Sequence, residues 1–337
     1  MYKTFVLKKF ELISDYPFNF SVLKKRYSFL NSKKLFNKKI SILINTNNNI
    51  KNNTYFKKKE FFIKNSDNKI IVNFNGKILK IKNSIFEYKI KISIDQNFSK
   101  LELINVLDSL IMIKFIQSKF LPLHSSGFSL NKKGYLLSSY GGTGKTRLIL
   151  EANKFSSKCK IFDEWCLLKK NIVFPLRKEI LLMDYDILSY RNFFNIVDFY
   201  RAKLSKFITF KKIKDFFRFS RLILPYKYEY FENVGPFKLN NIFYINQKKK
   251  TKIVVLKVSK KVISNQILKN FKHERKNLIR LSLVNNSITK FKNKINLIKL
   301  YKSLLISSLN ICKHKNILID KKNKNFNEIF NKILIND

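Results

Sequence analysis

Lys145 and Thr146 close the run Tyr140-Gly141-Gly142-Thr143-Gly144-Lys145-Thr146, and two adjacent acids, Asp163 and Glu164, come one helix-length later. These residue types, so ordered, suit the gripping of phosphate. Glycines let consecutive backbone N–H groups turn inward around anionic oxygens, and a helix starting at the end of the run adds the positive end of its dipole. In the pattern G-x-x-x-x-G-K-[ST] the lysine reaches the β- and γ-phosphates and the hydroxyl beside it ligates Mg²⁺. The window from Ser139 to Thr146 matches except at its first position, where serine stands in place of glycine. Of the chain's 7 glycines, five (Gly127, Gly134, Gly141, Gly142 and Gly144) fall between His124 and Glu164, so backbone freedom is concentrated in one place.

A nucleotide site also needs a carboxylate for Mg²⁺, and transfer to a hydroxyl needs a base. Two stretches offer one: Ile161-Phe162-Asp163-Glu164, and the apolar run Ile180-Leu181-Leu182-Met183 ending in Asp184. Spacing alone does not separate them. His124 stands one hairpin ahead of the loop, where an imidazole near the phosphates would tune the base or contact the transferring group. A lone histidine is more often structural, and His273 and His314 have no comparable surroundings.

The elements that must position these groups are legible on both sides of the loop. Leu123 to Leu130 and Tyr135 to Leu137 read as two strands joined by a turn at Asn131-Lys132-Lys133-Gly134, and Arg147 to Ala152 has helical propensity. Strand, glycine loop and helix is the order such a loop requires. Ahead of it, Ser99-Lys100-Leu101-Glu102 is a capping-box pattern that predicts a helix of about twenty residues reaching Phe120, with Pro122 as its stop. Residues 1–98 read as β-rich. Ile70, Val72 and Phe74 alternate with polar residues, Asn75-Gly76 supplies a two-residue turn, and Ile78 to Ile81 returns. A strand from Phe86 to Ile94 follows, and the Asn-rich run Asn45 to Asn53 reads as a loop. Beyond the acids, Ile242 to Ile245, Ile253 to Val258 and Ile317 to Ile319 read as strands, and Asn293 to Leu309 and Asn325 to Leu334 as helices. The aromatic, Lys-rich segment from Phe193 to Phe219 fits an amphipathic pair, an insertion or a partner surface equally well. The expected class is α/β with a mixed sheet: a β-rich region over 1–98 and a nucleotide-binding domain over 99–337.

Composition narrows the partners. A formal charge of +47 points toward polyanions, but the basic residues are 60 Lys against 9 Arg, spread over the whole length. Only Ala152 and Ala202 represent alanine, a pattern that an AT-rich genome imposes. Arginine is the better fork for phosphate, so nucleic acid is not the expected partner. Cys159, Cys166 and Cys312 include no C-x-x-C pair, which argues against a disulfide framework or zinc site and for a reducing compartment. The N-terminal sixteen residues lack a secretory apolar core. The apolar stretch Leu103 to Ile116 carries Asp108 and Lys114, costly in lipid, and reads as a buried helix. A cytoplasmic protein that does not span the membrane is expected.

Leu123-His124-Ser125-Ser126-Gly127, the hairpin, the glycine loop and Phe162-Asp163-Glu164 together resemble the catalytic domain of HPr kinase/phosphorylase, and more closely the HPr-kinase-related kinases. The resemblance covers about residues 99–185, including Pro175-Leu176-Arg177. It implies a phosphoenolpyruvate-carboxykinase-like P-loop fold, with Tyr140 to Thr146 as the ATP site. It also implies a division of metal binding and base work between Asp163 and Glu164, and a place near the phosphates for His124. Ser139 departs from the family's loop, Glu164 stands where HPr kinase has a second Asp, and its downstream substrate signature is missing. The expectation is an ATP- and Mg²⁺-dependent kinase acting on a hydroxyl, of a serine in a protein or peptide or of a small molecule. The alternatives are a nucleotide-binding regulatory protein with degraded catalysis, or a nucleic-acid-stimulated ATPase.

Overall fold

The computed structural model describes residues 2–15, 18–30, 35–47, 61–156, 158–177, 181–182, 200, 222–223, 236–248, 252–320 and 325–336. Asp184 and, apart from Tyr200, the segment 193–219 lie outside the described residues. In chain order the strands are β1 (Tyr2–Leu7), β2 (Phe10–Ser14), β3 (Ile40–Asn47), β4 (Phe61–Ser66), β5 (Lys69–Phe74), β6 (Lys77–Ile81), β7 (Lys89–Asp95), β8 (Leu121–Leu130), β9 (Lys133–Ser138), β10 (Lys160–Phe162), β11 (Trp165–Lys169), β12 (Ile172–Pro175), β13 (Leu181–Leu182), β14 (Leu222–Ile223), β15 (Phe237–Lys248), β16 (Val254–Lys257) and β17 (Lys313–Asp320). The α-helices are α1 (Ser21–Arg26), α2 (Lys100–Gln117), α3 (Lys145–Phe155), α4 (Lys260–Glu274), α5 (Lys276–Ser287), α6 (Leu297–Leu309) and α7 (Phe326–Ile335). The architecture is mixed α and β with two mixed sheets. Two compact units result, the first of Met1–Pro122, Leu167–Lys170 and Ser264–Asn310, the second of Leu123–Cys166, Asn171–Ile263 and Ile311–Asp337.

The first unit is built on a seven-stranded sheet of order β1-β2-β3-β7-β6-β5-β4. The β5–β6 hairpin turns on Asn75 (φ 52°) and Gly76 (φ 80°), the pair of left-handed residues that a two-residue hairpin turn demands. Ile90, Ile92 and Ile94 of β7 are buried while Lys89 and Lys91 are exposed, as alternation requires. The strand nevertheless starts at Lys89 and not at Phe86. The cause is a buried cation: Lys114 Nζ donates to the carbonyls of Ile85 and Glu87, each at 2.7 Å, and to Gln117 Oε1 at 2.9 Å, holding this stretch as a turn. Burial pushes the Lys114 amine down to about 7. The Asn-rich run is likewise strand through Asn47, with 48–53 outside the described residues.

Ser99 caps α2 by accepting from Glu102 N, and the helix is apolar and buried on nearly every side. It ends at Gln117 because Lys119 turns left-handed (φ 62°); Pro122 lies inside β8 and is not its stop. Asp108 is buried in the middle of α2. It accepts from Tyr27 Oη and from Arg275 Nη1, each at 2.5 Å, and pairs with Arg26 Nη1 at 2.8 Å. Burial alone would raise its carboxyl, but Arg275 and Arg26 hold it down at about 2, against an ordinary 3.8. No helix among the described residues is long and apolar enough to cross a membrane.

In the second unit the sheet runs β10-β8-β11-β12-β15-β17-β16, with β9 paired to both β8 and β15. β9, β15 and β17 are mutually parallel, and the glycine loop leaves the carboxyl end of β9, where parallel sheets place their ligands. The β8–β9 turn uses only Asn131 and Lys132, both left-handed, so Gly134 belongs to the strand; a side chain there would run into Phe237. In the sheet β17 lies between β15 and β16, parallel to the first and antiparallel to the second.

The Asp108 cluster predicts a signature in acid. Its folded carboxyl sits below the unfolded value, so it contributes stability that is present above about pH 4 and lost as pH falls toward 2, worth about 2 kcal/mol. In denaturant unfolding, the advantage of wild type over Asp108→Asn should shrink across that window; a difference independent of pH would contradict it.

Candidate functional site

Two of the loop's glycines are left-handed, Gly142 (φ 74°) and Gly144 (φ 97°), and Gly144 is the residue from which α3 departs. The loop is braced from within. Thr143 Oγ1 donates to the carbonyl of Tyr140 at 3.2 Å and shares a hydrogen bond with the Ser139 hydroxyl. Lys145, buried, directs Nζ back over the loop, to Ser139 Oγ at 3.1 Å and to the carbonyls of Ser139 and Tyr140 at 3.2 and 3.3 Å. The serine in place of the pattern's first glycine is therefore a partner of the lysine. Gln247 of β15 reaches the Gly142 carbonyl at 3.4 Å. A side chain on Gly141 or Gly142 would meet nothing within 4 Å, so the tip of the loop is uncrowded.

The acids arrive by strand pairing. β10 lies antiparallel to β8 with Phe162 opposite Gly127, which sets Asp163 beside Ser126. A Cβ at Gly127 would meet the Phe162 ring at 2.5 Å and the Tyr135 carbonyl at 2.6 Å, so this approach requires glycine. Asp163, 6% exposed, accepts from the Ser126 hydroxyl on one oxygen and from Thr146 Oγ1 at 3.0 Å on the other. The loop hydroxyl and the first acid are thus joined directly.

Glu164 departs differently. It is left-handed (φ 72°), its carbonyl accepts from Ser125 N at 3.0 Å, and its carboxylate pairs with Arg177 at 3.3 Å, both side chains being largely shielded. The bond from Leu176 N to the Trp165 carbonyl, 3.1 Å, sets the chain that carries Arg177 beside it. His124 stacks on Trp165, ring centroids 5.1 Å apart and 13° from parallel. The fold thus joins Asp163 to Thr146, pairs Glu164 with Arg177, and lays His124 on an aromatic face.

Ser126, Ser139 and Arg177 were not assigned roles by sequence reasoning. Ser126 becomes visible only through the β8–β10 register, and Arg177 only through the β11–β12 return. The Ser139 contact follows from the lysine's reach around the loop.

The close approach at Gly127 predicts that Gly127→Ala destabilises the chain by about 1–3 kcal/mol through overpacking against Phe162. Denaturant unfolding checks this, and wild-type stability in the variant would contradict the packing. No protein-family model matches the chain, and no curated protein matches it in sequence.

Proposed function

We propose that this chain is an ATP- and Mg²⁺-dependent kinase that transfers the γ-phosphoryl group to a hydroxyl, on a phosphoenolpyruvate-carboxykinase-like P-loop fold akin to that of the HPr-kinase-related kinases. The observation that carries the reading is the 3.0 Å hydrogen bond from Thr146 to Asp163, which brings a buried acid to the hydroxyl that follows the loop lysine.

The donor set fits Mg²⁺. This ion takes hard oxygen ligands and is commonly held by one or two carboxylates together with substrate phosphates and water. Asp163 and Thr146 supply such a partial shell, the remaining ligands being left to nucleotide and water. Bound there, Mg²⁺ would offset the charge of the β- and γ-phosphate oxygens. The loop amides and the α3 dipole hold the phosphates, and Lys145, already turned over the loop, moves its ammonium from the Ser139 and Tyr140 carbonyls to phosphate oxygen. Ser126 fixes the orientation of Asp163. Glu164 takes the proton of the attacking hydroxyl, with Arg177 holding its carboxylate in place. Positioning and electrostatics supply most of the acceleration. The acceptor is a serine of a protein or peptide, or a small-molecule alcohol, and the setting is cytoplasmic. Burial pushes the Cys159 thiol up to about 12.

A second reading, nucleotide binding without transfer, draws on the ion pair that occupies Glu164. Labelled transfer separates the two. With γ-labelled ATP, Mg²⁺ and a lysate of the source cell, wild type should label an acceptor. Lys145→Ala should cut labelling by about 100-fold or more with thermal stability retained. Glu164→Gln should keep ATP binding and lose transfer. Wild-type-like labelling by Lys145→Ala would overturn the site, and ATP binding with no labelled product from wild type would favour the second reading.

A further inference from the structure

The C-terminal helix α7 packs its first turn against the start of α3. Asn325 caps it by accepting from Glu328 N at 3.2 Å, and Ile329, Phe330 and Ile333 are buried. Phe330 meets Phe128 of β8 and Phe155 of α3, with ring centroids 5.7 and 5.5 Å apart. Lys332 Nζ ties the helix to the Ile253 carbonyl at 2.5 Å. These contacts anchor α7 independently of its first residue. That residue, Phe326, is only partly buried and does something else.

Its ring fills the space that a side chain on Gly144 would need: a Cβ there would lie 2.6 Å from Phe326 Cζ and closer still to Cε1. On the first turn of α3, Arg147 places its guanidinium 5.4 Å from the centre of the same ring. Gly144 is the left-handed hinge between the loop and α3, so one ring touches the hinge and carries a cation one turn beyond it. Lys145, Thr143 and Gln247 brace the loop's carbonyls at Ser139, Tyr140 and Gly142, and the Phe326 ring adds a contact at the hinge side, where the backbone must be left-handed.

We propose that Phe326 is a positioning residue for the phosphate loop: its ring sets the left-handed hinge at Gly144 and orients Arg147, so that the C-terminal helix holds the loop in its nucleotide-binding shape. This rests on the nucleotide reading above. Two consequences follow. If losing the ring leaves only a tenth of molecules with the loop in the competent shape, apparent affinity falls by that same fraction. By linkage, nucleotide on the loop protects α7 as much as α7 supports the nucleotide.

The test uses the full chain, MgATP and MgADP as probes, calorimetric affinity, thermal midpoint, and amide exchange of residues 140–147 and 326–335. For Phe326→Ala, affinity for both nucleotides should fall about tenfold and loop exchange should quicken. Phe326→Tyr should restore both, and MgATP should slow exchange in α7 of wild type. Phe326→Leu keeps apolar bulk but lacks the flat face, and it should change affinity and exchange in the same direction even if the alanine variant proves unstable. Wild-type affinity and loop exchange in Phe326→Leu and Phe326→Ala would overturn the proposal. If wild type binds neither nucleotide, the nucleotide reading falls, and loop exchange alone then decides whether Phe326 holds the hinge.

Discussion

The carboxylate of Asp163 is shared between two hydroxyls, Ser126 on β8 and Thr146 on α3, and the arrangement of the second unit's site depends on that sharing. A carboxylate this deeply placed is costly unless its lone pairs are met, and two hydroxyls meet them without neutralising it. It stands at the foot of the glycine loop, next to the hydroxyl that follows the loop lysine. An acid met by neutral hydroxyls beside a glycine loop is the arrangement on which the proposed Mg²⁺ assignment rests. Because β9 and β10 both run antiparallel to β8, the loop leaves β9 at the same end of the sheet at which β10 delivers the acid.

The first unit deals with a buried acid in the opposite way. Asp108 sits among Arg26, Arg275 and Tyr27, so its charge is satisfied within the protein. Such a cluster fixes how α1, α2 and the start of α5 meet, since removing one member would strand the others in a dry interior. One acid is paired with cations and the other accepts from neutral hydroxyls.

What was legible in the sequence was local. The capping serine at Ser99, the Asn75-Gly76 turn, the alternation of β7 and the loop between β9 and α3 each depend on neighbours within a few residues, and each formed. Pro122 misled because a left-handed Lys119 had already ended the helix, and the edge of β7 misled because Lys114, distant in sequence, claims the carbonyls of Ile85 and Glu87. Helices α4 and α5 escaped notice because their apolar positions are diluted by lysine and asparagine and take shape only against the rest of the unit. At the site, the residue types were readable, but the pairing of Glu164 with Arg177 and the stacking of His124 on Trp165 are products of strand register.

Left-handed backbone occurs at nine described residues that are not glycine, four of them lysines. Each such residue costs roughly 1–2 kcal/mol that glycine would spare, so this chain has tolerated strain at ordinary turns where most proteins place glycine. Among the six described glycines, those at 127, 134 and 144 stand where a neighbouring atom already occupies the place of a side chain, whereas Gly76, Gly141 and Gly142 have open space. Close approach thus demands glycine at Gly127 and Gly134, and at Gly144 close approach and a left-handed backbone demand it together.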